Sequence, residues 1–178
     1  MYTRKILFVL ILLIISIAAQ RDKKKLCIHN LVINGTNLIT GHRKQLLILS
    51  VVNFNNPSSR TQANRFLDLY RELERQHIRD SVVRLMLINE QDAAQYFSGN
   101  KFGKIQLFQD NPQDRLVQRL HRQHGETLNN YVFGRCGYLI YTQEHPNSNL
   151  DDVSNYQDLL RIITTAVKNK RRCQNLCS

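Results

Sequence analysis

The sequence predicts an α/β fold in which helices flank a central mixed β-sheet. An apolar run at residues 45–52 is followed by a turn at 53–60 and then by an amphipathic helical pattern. A second, nearly continuous apolar run at residues 82–88 is typical of a strand that helices cover on both faces. A right-handed crossover makes these two strands parallel. A hairpin pattern later in the chain adds antiparallel strands, so we expect the sheet to be mixed.

Weaker patterns complete the predicted order of elements. Residues 26–40 contain a short apolar run and an Asn34-Gly35 turn, which together predict a short strand or hairpin edge. The helix after the turn has apolar residues at three- and four-residue steps, which is typical of a helix packed on a sheet. Later segments predict a strand at 104–109, a helix at 113–124, a hairpin joining 131–133 to 138–142, and a closing helix at 151–168.

The turn at residues 53–60, called the corner below, contains no cysteine. A thiolate at such a strand-to-helix junction would be stabilised by the unpaired amides of the helix start. Asn56 can instead accept hydrogen bonds from those amides as an N-cap, and Pro57 is tolerated at the first helical position. The corner is therefore predicted to be a capped helix start that carries no thiol chemistry.

Four segments of the chain, residues 46–73, 81–89, 105–110 and 135–141, match the pattern of a known family. Through them the chain resembles the amino-terminal domain of selenoprotein P, a thioredoxin-like domain, and the resemblance covers nearly the whole chain after residue 20. Its most specific parts are the sequence RCGYLIY at 135–141 and the spacing of the two cysteines near the end of the chain. It implies a thioredoxin-like α/β fold.

The same resemblance places a redox motif at the corner. The family carries selenocysteine-x-x-cysteine there, and the two reactive positions fall on Asn56 and Ser59 of this chain. The proline that faces the reactive pair in thioredoxin-like proteins falls on Gln106. An amide and an unactivated hydroxyl cannot exchange disulfides. The resemblance therefore implies a scaffold without the family's redox centre, and selenium transport does not carry over.

The first 20 residues predict a secretory signal peptide. Arg4 and Lys5 precede an apolar run at 6–15, and small residues follow it. An uncleaved membrane anchor is the alternative, but the run is shorter than the roughly 20 residues that span a bilayer. We expect cleavage of residues 1–20, a single domain over 21–178, and a secreted, extracellular protein without stable membrane insertion.

The four cysteines predict a disulfide-stapled domain. An even number of cysteines in a secreted chain implies two disulfides, and three pairings are open. The expected position of one cysteine in the hairpin favours a bond from it to the tail, with the amino-terminal cysteine bonded to the remaining tail residue. The cysteines are Cys27, Cys136, Cys173 and Cys177.

Asn34 is the predicted site of N-glycosylation. It lies in the sequence Asn34-Gly35-Thr36, whereas the similar motif at Asn56 has a proline in its forbidden middle position. No cofactor or metal site is predicted. His121 and His124 could lie on one face of a helix, but a zinc site needs about four ligands and no further ligands lie nearby at the required spacing.

The charge of the chain predicts anionic partners. Without Arg4 and Lys5 the chain has 23 basic and 14 acidic residues, a net charge of +9. We expect a sulfated glycosaminoglycan or an extracellular receptor as the partner, while the signal peptide disfavours nucleic acid. Simple solubility is the alternative explanation of the charge. Beyond the runs at 21–25 and 42–44, the predicted polyanion-binding residues are Arg115, Arg119 and Arg122, aligned on one helix, and Lys168, Lys170, Arg171 and Arg172.

Two functional hypotheses follow. The first is a secreted, redox-inactive binding or carrier module for anionic glycosaminoglycans. The alternative is an extracellular thiol-disulfide oxidoreductase or antioxidant that uses Cys136 or the pair Cys173 and Cys177, which requires a reducible bond there. The sequence therefore does not decide whether the protein is an enzyme, although the corner residues argue against it.

Overall fold

The computed structural model describes residues 31–97, 102–124 and 129–169, without the side chains of 121–124. It confirms an α/β fold with a five-stranded mixed sheet in the order β5-β4-β3-β6-β7 and a separate two-stranded hairpin, β1-β2. The strands are β1 Val32–Ile33, β2 Thr36–Asn37, β3 Leu46–Val52, β4 Val83–Asn89, β5 Gln106–Gln109, β6 Asn130–Phe133 and β7 Leu139–Gln143. The helices are α1 Leu38–Gly41, α2 Pro57–Arg75, α3 Leu116–His124 and α4 Val153–Lys168, with a 3₁₀ helix at Gln91–Tyr96.

Parallel and antiparallel pairing meet at the central strand β3. Strand β4 runs parallel to β3, as predicted for the crossover, and β5 runs parallel to β4. Strand β6 runs antiparallel on the other side of β3. Val52 is the last residue of β3 and is level with Asn89 and Gln109. This edge is called the carboxyl end of the sheet, and the edge at Leu46, where β3 begins, is called the amino end.

Each face of the sheet is covered by its own hydrophobic cluster. Leu47, Leu49 and Val51 of β3 point to one face, where the β1-β2 hairpin, α1 and α3 pack. Alternate residues such as Ile48 point to the other face, where α2 and α4 pack through residues such as Phe66. Because every residue of β3 is buried, the strand reads as a continuous apolar run with one polar interruption at Ser50.

Two differences from the sequence prediction have a clear physical cause. Helix α3 begins at Leu116, where residue 113 was expected. The carboxylate of Asp110 accepts hydrogen bonds from the amides of Leu116 and Val117 at 2.9 and 3.1 Å, and this fixes the helix start. The short helix α1 was not predicted. The side chain of Asn37 caps it by accepting from the amides of Ile39 and Thr40.

Several predictions lie outside the described residues. These are the signal peptide at 1–20, the basic run at 21–25, and the residues Cys27, Lys170, Arg171, Arg172, Cys173 and Cys177. In the described part of the chain, no helix has the length and apolar character needed to cross a membrane.

The start of α4 depends on a carboxylate cap. Asp152 Oδ1 accepts hydrogen bonds from the hydroxyl and the amide of Ser154 at 2.6 and 2.7 Å, and from the amide of Asn155 at 3.4 Å. These hydrogen bonds favour the charged carboxylate and hold the pKa of Asp152 below its ordinary value of 3.8. The cap is thus strongest when the side chain is ionised.

Substitution Asp152→Asn tests the charge of this cap. A lowered pKa adds stability that is complete above the unfolded-state pKa and is lost as pH falls through the folded-state pKa. We expect the wild type to exceed the variant in urea midpoint near neutral pH, and the difference to shrink as pH falls below about 4. Asp152→Ala should be less stable at every pH, because it removes the hydrogen bonds as well. A constant difference between wild type and Asp152→Asn would contradict the role of the charge.

Candidate functional site

The corner is a capped helix start, as the sequence predicted. Strand β3 ends at Val52 and α2 begins at Pro57, earlier than the predicted end of the turn at residue 60. Asn56 has extended backbone angles, and its Oδ1 accepts hydrogen bonds from the amide of Ser58 at 3.0 Å and from the Ser58 hydroxyl at 2.9 Å. The amide of Ser58 at the start of α2 is therefore already hydrogen-bonded to a side chain of the protein.

The two positions expected to carry the redox pair lie in different environments. Asn56 is exposed, whereas Ser59 is fully buried one helical turn further along. The amide of Ser59 donates to the carbonyl of Asn56 at 3.1 Å, but its buried Oγ has no hydrogen-bond partner in the structure. Neither side chain has a sulfur atom. The corner retains an outer and an inner position, but it cannot form or reduce a disulfide.

Amide side chains hold the corner against the neighbouring strand. Asn53 Nδ2 donates to Glu90 Oε2 at 2.7 Å and to Asp92 Oδ1 at 3.0 Å. Asn89, the last residue of β4, accepts from the amide of Phe54 at 3.0 Å and donates to the carbonyl of Ala93 at 2.9 Å. The carboxyl end of the sheet is therefore rich in amides and carboxylates.

A buried polar network lies beneath the corner, and Gln62 of α2 is its first member. Gln62 Nε2 donates to the carbonyl of Ser148 at 2.7 Å and to Asn130 Oδ1 at 3.2 Å. Gln62 Oε1 accepts from the amide of Leu150 at 2.9 Å. Gln62 is 5% exposed, so these partners replace the water it would have on the surface.

Asn130 of β6 is the second member of this network. Its Oδ1 also accepts from the Ser50 hydroxyl at 2.6 Å, and its Nδ2 donates to Gln143 Oε1 at 2.9 Å and to the carbonyl of Ser148 at 3.0 Å. Sequence reasoning missed the network. The signals present were a serine inside the apolar run of β3 and an asparagine directly before the apolar residues of β6.

Gln106 does not face the corner, which corrects the expectation for that residue. It opens β5, the outer strand, and is level with Met86 on β4, so that a whole strand separates it from β3. The residues beside β3 at the carboxyl end are Asn129, whose carbonyl accepts from the amide of Val51 at 3.2 Å, and Asn130. The chain entering β6, and not β5, lies beside the end of β3.

Of the three arginines predicted to form a row on α3, Arg115 and Arg119 are not placed as expected. Arg115 precedes the helix with a φ of 46°, and its Nε donates to the carbonyl of Pro112 at 3.0 Å. Arg119 is half-buried, and its Nη2 donates to the carbonyl of Val32 at 3.1 Å. The side chains of His121, Arg122 and His124 lie outside the described residues. Arg119 therefore helps to hold the β1-β2 hairpin against α3.

A different group of basic residues gathers at the amino end of the sheet. The amide of Lys44, in the loop before β3, donates to the carbonyl of Arg135 at 3.1 Å, and Arg135 Nη2 donates to the carbonyl of Val167 at 3.1 Å. These bonds join the loop, the turn between β6 and β7, and the end of α4. The resulting basic end comprises His42, Arg43, Lys44, Arg135 and Lys168.

The basic end lacks carboxylate partners, as do Arg60, Arg79, Arg84 and Arg115 elsewhere in the described part of the chain. Within the described ranges, none of its five side chains lies within ion-pair distance of an acidic group. Cations on the outer surfaces of α2 and α4 are paired instead, and these are Arg65, Arg71, Arg75 and Arg161. The charge at the basic end is thus left for other partners.

Cys136 lies at the amino end, in the turn between β6 and β7. It is half-buried and disulfide-bonded, and its partner is outside the described residues. Phe133, just before the turn, pairs with Leu47, whereas the start of β6 pairs with Ser50 near the corner. Cys136 is therefore at the opposite edge of the sheet from the corner. The pairing of the cysteines and the stapling of the fold remain predictions.

Comparisons with known proteins identify the fold. No protein-family model matches the chain, and no curated protein matches its sequence. A Bacteroides thetaiotaomicron protein assigned as a protein disulfide isomerase superposes with a TM-score of 0.56 at 12% identity, covering 74% of this chain and 79% of that one. The fold is thioredoxin-like.

Two further solved structures agree. BsSco, of the Sco family of cytochrome c oxidase assembly proteins, gives a TM-score of 0.54 at 12% identity, over 77% of this chain and 89% of that one. A secreted thiol-disulfide isomerase from Corynebacterium glutamicum gives 0.50 at 16% identity, over 74% and 75%. At these identities the likeness establishes the thioredoxin-like fold alone, and the narrower resemblance to selenoprotein P stays a prediction.

A thiol placed at the outer corner position would test whether the helix start can still activate one. We expect the thiol introduced by Asn56→Cys to have a pKa below the ordinary value of about 8.5, because the first amides of α2 stabilise a thiolate. Alkylation rate as a function of pH measures this pKa. Ser81→Cys, on an exposed turn away from any helix start, is the matched control. Equal alkylation midpoints in the two variants would contradict activation by the helix.

Removal of Gln62 should strongly destabilise the fold. Gln62→Leu leaves the Leu150 amide and the Ser148 carbonyl with fewer partners in a buried site, so we expect a loss of about 3 kcal/mol. Chemical denaturation at neutral pH measures it. The control is Gln157→Leu on the exposed surface of α4, which should change stability by less than about 0.5 kcal/mol. A similar small loss in both variants would show that the network contributes little.

Proposed function

We propose that this chain is a secreted, redox-inactive thioredoxin-fold module that binds a sulfated glycosaminoglycan at its basic end. The proposal treats this chain as a relative of the selenoprotein P amino-terminal domain that has lost the redox pair. Asn56 and Ser59 support it, because they keep the outer and inner positions of such a pair without a sulfur atom. A scaffold preserved without its reaction centre is suited to binding.

The observation that carries the proposal is the role of Arg135. Its backbone carbonyl holds Lys44 and its guanidinium holds the end of α4. Three segments that are far apart in sequence thus present their cations together. A cluster built by specific hydrogen bonds is a stronger indication of a binding surface than dispersed charge, which would suffice for solubility.

The chemistry of the basic end fits a sulfated chain. Arginine can bind a sulfate or carboxylate with two parallel hydrogen bonds, and lysine adds a mobile point charge. Lys168 is exposed at the end of α4, and Lys170, Arg171 and Arg172 follow it directly in sequence. A repeating polyanion can contact several such cations at once, whereas a small anion contacts few.

The two ends of the sheet differ in charge. The carboxyl end carries more acidic than basic side chains. Glu90 and Asp92 lie beside the corner with Arg60, and Asp151 and Asp152 precede α4, where Asp151 pairs with Arg65. A polyanion is repelled there and attracted to the basic end, so it would meet the molecule in one orientation. The corner then faces away from the polyanion and stays open to an extracellular receptor.

Thiol-disulfide exchange is the second candidate function, since the similar solved structures include disulfide isomerases. Within the described residues, the one cysteine is Cys136, and it lies in a hairpin turn without the helix amides that stabilise a thiolate. An enzyme of this kind would need a reactive thiolate at Cys136, where no helix amides stabilise one. A disulfide-reductase assay on the purified protein, with turnover, would favour this candidate over the binding module.

Heparin affinity tests the proposed surface. The triple variant Arg43→Gln, Lys44→Gln, Lys168→Gln removes three cations of the basic end, and we expect roughly tenfold weaker binding, the effect of about 1.4 kcal/mol. The matched control is Arg71→Gln, Arg75→Gln, Arg161→Gln, which lowers net charge equally but removes paired cations. Calorimetric titration with a heparin oligosaccharide gives both affinities. Equal losses in the two variants would mean that only net charge matters.

A further inference from the structure

We propose that Lys44 is the specificity-determining residue of the basic end, held by a strained turn and binding a sulfate of the polyanion through its ammonium group. This inference rests on the proposed function. It assigns the largest single share of the binding affinity to one of the five basic residues.

The backbone of Lys44 is the feature that singles it out. Lys44 has a left-handed conformation, with a φ of 73°. It is the third residue of a turn that the amide of Gln45 closes by donating to the carbonyl of His42 at 3.1 Å. Arg43, the second residue, lacks a positive φ, so the turn has the type II pattern, in which glycine is favoured at the third position. A lysine there has a steric cost that glycine would avoid.

Other non-glycine residues with a positive φ have local explanations. Asn34 lies in a hairpin turn, and asparagine tolerates this conformation. His77 follows the end of α2, where a left-handed residue is common. Arg115 uses its side chain locally, because its Nε donates to the carbonyl of Pro112 at 3.0 Å. Lys44 differs from these residues, since its side chain is exposed and forms no ion pair in the part of the chain that the structure describes.

Hydrogen bonds within the turn and from two other segments hold this conformation. The amide of Lys44 donates to the carbonyl of Arg135 at 3.1 Å. His42 Nδ1 lies 3.0 Å from Gln45 Oε1, and Gln45 Nε2 donates to the carbonyl of Asp80 at 3.1 Å. A strained conformation persists only where the surrounding structure fixes it, and strained residues cluster at ligand-binding sites. The strain at Lys44 therefore indicates a binding role.

A fixed backbone suits Lys44 to binding a sulfate. Its bond to the Arg135 carbonyl keeps these two basic residues adjacent, so one sulfated segment can contact both. The turn is ordered before the polyanion arrives, which lowers the entropic cost of association. A few residues usually carry most of the energy of an interface. The constrained turn favours Lys44 for that part.

Two glycine substitutions separate binding from strain. Lys44→Gly removes the ammonium group and relieves the backbone, so we expect about fivefold weaker binding of a heparin oligosaccharide together with a higher urea midpoint. The matched control is Arg43→Gly, which removes a neighbouring exposed cation where φ is not positive. It should weaken binding about twofold and lower the urea midpoint. Calorimetric titration and urea denaturation of the purified, oxidised protein give both quantities.

Lys44→Asn keeps the test decisive if glycine loosens the turn. Asparagine tolerates a positive φ and has no charge, so this variant should bind heparin as weakly as Lys44→Gly. A loss of affinity no larger than that of Arg43→Gly, or a urea midpoint of Lys44→Gly below that of the wild type, would overturn the role of Lys44. Failure of the wild type to bind heparin would instead overturn the proposed function, and this inference with it.

Discussion

The side chain of Asn130 is the interaction on which the site region depends. It is fully buried in β6 and makes four hydrogen bonds, as acceptor to Ser50 and Gln62 and as donor to Gln143 and to the backbone at Ser148. These partners belong to β3, α2, β7 and the loop before α4. A single amide therefore fixes the first turns of α2 against the centre of the sheet. Buried polar groups of this kind specify one arrangement, because every alternative leaves them unpaired.

The position of the corner follows from this network. Gln62 bonds the first turns of α2 to the buried network, and the side chain of Asn56 caps the amino-terminal end of the helix. The amides that could stabilise a thiolate or bind an anion have partners from the chain itself. The corner thus has a strand-to-helix geometry at which helix amides could stabilise a thiolate, but Asn56 and Ser59 place an exposed amide and a buried hydroxyl there. The basic end, where Arg135 joins three segments, lies at the other end of the sheet, and its side chains have no carboxylate partner among the described residues.

The sequence predicted the parts of the fold that depend on local patterns. The central strand, the crossover to β4 and the capped start of α2 needed only apolar runs, a right-handed connection and the Asn56-Pro57 pair, and the structure confirms all three. The late start of α3 depends on Asp110, six residues before the helix. A pattern of helix formers does not reveal a cap at that distance.

The features that the sequence did not predict depend on contacts between distant segments. Gln106 was placed by counting along the chain, but the sheet puts β5 outside β4. Arg119 has the spacing of an exposed helical cation, yet it donates to the hairpin 87 residues earlier. The basic end exists because two hydrogen bonds through Arg135 bring residues 44 and 167 together. Spacing in one helix cannot show such a convergence.

The most direct test is a residue-level map of heparin binding by NMR. Amide chemical shifts of the isotope-labelled, oxidised protein would be followed during titration with a heparin oligosaccharide. We predict that the largest changes fall on residues 42–44, on Arg135 and its neighbours in the turn, and on Lys168, while residues 53–59 at the corner stay unchanged. Changes concentrated at the corner or at the start of α3, with none near Arg135, would contradict binding at the basic end.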